Sequence, residues 1–70
     1  MNERIINEVS KLRANIGVTQ EDLADKVNVS RQTIIALEKG NYTPSILLAL
    51  KISYFFKIPV EKIFKISNEK

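Results

Sequence analysis

Apolar residues recur at helical spacing through most of the chain, interrupted by short polar stretches that read as caps and turns. Ile5, Val9, Leu12 and Ile16 follow one another in helical steps, which lines one face of an amphipathic helix that Gly17 can close in the left-handed region. Asn2 and Asn7 are both good N-cap residues for this helix, and a start at Asn7 leaves Arg4, Ile5 and Ile6 extended. Leu23, Ala24 and Val27 mark a second apolar face and Ile34 and Leu37 a third, with Val29 between them. Thr19 before Asp22, and Ser30 before Thr33, place a capping hydroxyl ahead of each face, and Asp22 adds an acid in the favoured first turn.

Only Asn28, Val29 and Ser30 join the second helix to the third. That is too short for antiparallel packing, so the two must cross steeply as a helix-turn-helix, with Ala24 leaving room at the crossing. Asn28 falls where the turn needs positive φ, which Asn tolerates better than most residues. Gly40 ends the third helix, Asn41 and Tyr42 form a loop, and Thr43-Pro44 supply an N-cap and first-turn proline for a fourth helix reaching about Phe56. Ile46, Ala49, Leu50, Ser53 and Phe56 are its expected inward stripe. Leu47, Leu48, Tyr54 and Phe55 are then left partly outside, a large apolar surface for a monomer of this size. Pro59 separates a last short helix, through about Phe64, and the alternation of Ile63, Phe64, Lys65 and Ile66 suits a short strand with Ile5-Ile6 as a partner.

Composition narrows the function more than the fold. Seventy residues with 44% hydrophobic content make one small domain, 1–70, that buries only about 60% of its unfolded surface, so a partner subunit would help it. The absence of Cys and His removes disulfides, Cys/His zinc sites, thiol nucleophiles and imidazole bases, and no cofactor is expected. No paired-carboxylate spacing or glycine-rich phosphate loop is present, which argues against an enzyme. No apolar run approaches the ~20 residues of a membrane helix, and no signal peptide is visible, so a cytoplasmic location is expected. Eleven Lys and Arg against eight Asp and Glu leave +3, compatible with an anionic partner. The distribution says more: Glu21, Asp22 and Asp25 load the second helix, while Arg31 and Lys39 bracket the third.

A helix-turn-helix lays its second helix in the major groove of double-stranded DNA with the N-terminal residues at base edges. Here these are Ser30, Arg31, Gln32 and Thr33. Arg can bond guanine O6 and N7 bidentately and Gln adenine N6 and N7, while Ile35 and Ala36, one turn on, suit a thymine methyl. The alternative for Arg31 and Gln32 is a solvated helix face, and for Ile35 a place in the core. Lys39, Asn41 and Tyr42 can donate to phosphates, although Lys39 also suits a helix C-terminus on its own. Gln20, in the first turn of the second helix, can reach a phosphate beside free backbone N–H groups.

The segments Thr19 to Ala24, Val27 to Ile34, Leu37 to Gly40 and Thr43 to Ser45 together resemble the Cro and lambda-repressor-like helix-turn-helix family over residues 5 to 64. Within it the chain is most similar to short stand-alone homodimeric repressors of the cytolysin-repressor kind. The resemblance implies an all-α five-helix domain with the motif at about 19–39, extended by a small two-stranded antiparallel sheet of the N- and C-terminal segments. It makes Gln20 a backbone-clamping residue and Arg13 and Glu38 a structural ion pair. It also implies dimerisation through the C-terminal segment, about 55–66, where Phe55, Val60, Ile63, Phe64 and Ile66 exceed what the last helix can bury. The expected function is a transcriptional repressor that binds a palindromic operator as a homodimer, without a small-molecule effector. The competing reading is an antitoxin or adaptor that uses its exposed apolar residues to grip another protein.

Overall fold

The computed structural model describes residues 2–69, and Asn7 decides where its first helix begins. The Asn7 Oδ1 accepts the Val9 N–H at 3.0 Å, so the chain is helical only from Val9. Strand β1 (Asn2–Asn7) precedes helix α1 (Val9–Ile16). Gly17, at φ 72°, closes α1 through hydrogen bonds to the carbonyls of Arg13 and Ala14. Ile5 therefore lies in a strand and not on the helical stripe. Ile16, in the last turn, is exposed, which leaves Val9 fully buried and Leu12 packed against the core.

The motif helices are α2 (Gln20–Val27) and α3 (Arg31–Glu38). Thr19 and Asp22 form a complete capping box at the start of α2. Asn28 takes the left-handed conformation at φ 62° and bonds back to Ala24 and Asp25, as the short turn requires. Leu23, Ala24 and Val27 of α2 and Ile34 and Leu37 of α3 are buried.

Helix α4 (Ile46–Phe56) departs from expectation in start and phase. Its cap is Ser45, whose hydroxyl accepts the Leu48 N–H, so Thr43 and Pro44 stay in the loop. Leu48 and Ile52 form its buried stripe, whereas Ile46 is 80% exposed and Leu50 is also exposed. The first five residues of α4 are all apolar, so no polar residue marks an outward side, and packing against α2 selects the phase. Ser53, expected inward, donates its hydroxyl to the Ile58 carbonyl at 2.6 Å and helps close the helix beside Lys57, left-handed at φ 60°.

Helix α5 (Val60–Ile63) passes directly into β2 (Phe64–Glu69). Strands β1 and β2 pair antiparallel, with Ile5 opposite Ile66 and Ile6 opposite Lys65. Among the described residues, five helices and this terminal sheet make a mostly helical domain, with Val9, Leu23, Ala24, Val27, Ile34, Leu37, Leu48, Ile52 and Ile63 as its core. Ile63, expected at an interface, is fully buried. It sits where α5 is pinned to α1 by the Glu8 N–H donating to its carbonyl at 2.9 Å, so its side chain fills the core instead of facing a partner.

Candidate nucleic-acid interface

Helix α3 presents its N-terminal turn to solvent. The Ser30 hydroxyl accepts the Thr33 N–H at 3.2 Å and lies 3.0 Å from the Thr33 hydroxyl, so these two side chains act first as a cap and share one outward proton. Arg31 and Gln32 beside them are exposed. Ile35 and Ala36 are half-buried, which leaves each part of a side chain to offer outward. At the other end Lys39 forms the C-cap, and Gly40 takes φ 82°. Lys39, Asn41 and Tyr42 follow as exposed residues. Donor-rich residues thus lie at both ends of a helix whose opposite face is anchored by Ile34 and Leu37.

Behind this surface the ion pair is fully made. Arg13 donates Nε to Glu38 Oε2 at 2.7 Å and Nη2 to Oε1 at 3.0 Å, and its Nη1 donates to the Val18 carbonyl at 2.9 Å. The side chains are 17% and 7% exposed. The hydrogen bonds that Arg13 donates to Glu38 raise the Arg13 pKa above its ordinary value against the opposing effect of burial. One carboxylate on α3 thereby fixes α1 and the α1–α2 turn.

Gln20 belongs to the same network, donating its Nε2 to Glu38 Oε1 at 3.1 Å. Expected as a phosphate clamp, it is tied first to the brace, and one amide proton remains for any anion. Gln20 and Arg31 nevertheless line one shallow cleft of about 660 Å³, together with Arg13 and Thr19. The fold therefore brings together the starts of α2 and α3. Asn7 was not anticipated in this setting: its Nδ2 donates to the Leu37 carbonyl at 2.9 Å, tying β1 to the last turn of α3. The only signal in the sequence was its value as a cap.

The remaining expected residues lie away from this surface. Phe55 and Phe64 are half-buried against the core, with Phe55 edge-on to Phe56 at 5.0 Å between centroids. Val60 is half-buried, and Ile66 is 66% exposed.

A family model described as helix-turn-helix matches residues 9–63. The chain belongs to that family. A transcriptional regulator of this type from Bacillus subtilis, YgzD, is 49% identical over 63 residues, covering 90% of the chain and 96% of its own length. One from Methanocaldococcus jannaschii is 57% identical over 58 residues, covering 83% and 88%. Among solved structures, the restriction-modification controller protein C.AhdI from Aeromonas hydrophila aligns with TM-score 0.73 and 25% identity, covering 79% of this chain and 83% of that one. The fold of the transcriptional regulator VanUg aligns over 99% of this chain and 92% of its own, with TM-score 0.79 and 23% identity. This helix-turn-helix protein is therefore a non-enzymatic DNA-binding transcriptional regulator. No helix among the described residues is long and apolar enough to cross a membrane.

Proposed function

We propose that the protein is a sequence-specific repressor that binds an inverted-repeat operator in double-stranded DNA as a homodimer. The observation that carries this reading is the exposed Arg31-Gln32 pair on the first turn of α3, braced from behind by the bonds that Glu38 accepts from Arg13. Donors at base edges read sequence, whereas contacts to phosphate position the protein without carrying sequence information. Ser30 and Thr33 flank the pair, Ile35 and Ala36 offer apolar contact to thymine, and Gln20, Lys39, Asn41 and Tyr42 hold the backbone on either side.

In vitro selection of bound duplexes from a random pool tests the proposal. A palindromic consensus with half-site centres about 10 base pairs apart is the expected result, and enrichment of no sequence would overturn it. Arg31→Ala should weaken the selected site by about 1–3 kcal/mol and relax preference at one position per half-site. Lys39→Ala should weaken selected and scrambled sites alike and flatten the salt dependence. An Arg31→Ala protein with unaltered preference would remove base reading from that residue.

Dimerisation is assigned to the C-terminal segment, where Ile66 is open and Phe55, Val60 and Phe64 are only half-covered. The adaptor reading draws on a different surface, the outer side of α4, where Leu47 is exposed and Tyr54 is 83% exposed. A hetero-complex that survives purification and that a Tyr54→Ala, Leu47→Ala variant loses would favour it.

A further inference from the structure

One cation of the terminal sheet takes part in none of these arrangements. Arg4 lies within β1, opposite Ser67. It is exposed and forms no ion pair among the described residues. Its position is nevertheless defined. The Arg4 Nη2 stands 3.2 Å from where a Cβ would lie on Gly40, in the loop that carries Lys39, Asn41 and Tyr42. Asn7 holds the same strand to the last turn of α3 through its bond to the Leu37 carbonyl. The alternation of strand side chains puts Arg4 and Ile6 on one face, and Lys65, paired with Ile6, on that face too.

We propose that Arg4 is a further DNA-backbone contact, a guanidinium that grips phosphate at the edge of the site beside the group formed by Lys39, Asn41 and Tyr42. This rests on the DNA-binding reading above. When the N-terminal turn of a recognition helix enters the groove, phosphates flank the helix and its neighbouring loops. Arg4 crosses Gly40, where the lack of a side chain leaves room for its planar fork. That fork matches phosphate oxygens bidentately, and no carboxylate among the described residues already occupies it. The surface that touches DNA thus extends from the motif onto a strand that precedes it by a full helix.

The competing role for Arg4 is structural, a cation near the C-terminal end of α3. Arg4→Ala, Lys39→Ala and the unaltered protein are titrated on the selected duplex and on a scrambled one across a salt series, with thermal melts alongside. Arg4→Ala should flatten the slope of log K against log salt by about 0.9 for each copy bound. A fourfold rise in salt then weakens it about 3.5-fold less per lost contact than the unaltered protein. The change should be alike on both duplexes, with the melt unmoved. Replacing phosphates one at a time by methylphosphonate should then reveal a position that weakens the unaltered protein but not Arg4→Ala. An unchanged slope and an unchanged phosphate profile for Arg4→Ala, while Lys39→Ala still flattens the slope, would overturn the proposal and leave the DNA-binding reading standing. A lowered melt with the slope intact would assign Arg4 the structural role and overturn it equally. Failure of the unaltered protein to bind either duplex would overturn both.

Discussion

Glu38 takes hydrogen bonds from Arg13 and from Gln20 at once, so a single carboxylate fixes residues on two other helices. Removing either member of the Arg13–Glu38 pair leaves a desolvated charge behind, and Arg13→Ala and Glu38→Ala should each destabilise the fold by about 3 kcal/mol. Glu38→Ala should be the more harmful of the two, because it takes the acceptor from Arg13 and Gln20 together and leaves the Arg13 charge only the Val18 carbonyl, whereas Arg13→Ala leaves Glu38 one donor. The double variant should fall short of the sum in a denaturant-based cycle, and strict additivity would mean that the pair contributes no coupling. The raised Arg13 pKa places this contribution fully below the ordinary arginine range, lost only as the pH climbs through the folded value. Melts across neutral pH should therefore show no step from it. The pair was legible in the sequence only through family resemblance, since its partners are far apart in the chain. The bond from Gln20 to Glu38 was not legible, because an amide in a first helical turn can turn equally to a phosphate or to a carboxylate, and only the crossing of α1, α2 and α3 brings the carboxylate within reach.

Among the elements, the motif helices were legible because each carries its own start signal and a distinct polar face. Thr19 with Asp22, and Ser30 with Thr33, cap where expected. Helix α4 was not legible in phase, because an apolar run from Ile46 to Leu50 offers no contrast between inside and outside. Its end carries a residue under conformational load. Lys57 adopts φ 60° without being glycine, a conformation that costs roughly 1–2 kcal/mol for an L-residue. Lys57→Gly should therefore raise stability, by up to about 1 kcal/mol after the added freedom of the unfolded chain is subtracted. A chemical denaturation curve with a higher midpoint and unchanged slope is the expected record. The opposite substitution at Gly40, Ala in place of glycine at φ 82°, should destabilise by about 1–2 kcal/mol and also push against the Arg4 guanidinium.

Across the whole molecule, the sequence showed an excess of apolar surface but not its location. Ile63 was assigned to an interface and fills the core, while Ile46, assigned to the core, stands 80% exposed. The difference arises because a four-residue α5 leading straight into β2 turns its last side chain inward. For testing self-association this favours Ile66 over Phe64, since Phe64 packs against the core and a charge there would also unfold the subunit. Ile66→Asp, at a position 66% exposed, should convert a micromolar dimer to monomer in sedimentation equilibrium without lowering the secondary-structure signal. A protein that is already monomeric before substitution would refute the assigned interface.

The pairing of β1 with β2 also sets an order of events during synthesis. The strands are about 60 residues apart in the chain, one made before every helix and the other after all of them. At about 5–20 residues per second, β1 waits some 3–12 s for its partner to be made. The helices need no such delay to form, because the hydrogen bonds within each are local and close in about a microsecond. The helical core can therefore collapse first, with the sheet closing last and, by the same entropy, opening first. Amide exchange should then be fastest in Ile5 and Ile66 and slowest in Leu23, Ile34 and Ile52. An Arg4 carried on that late-closing strand would join the DNA-binding surface only once the chain has shut.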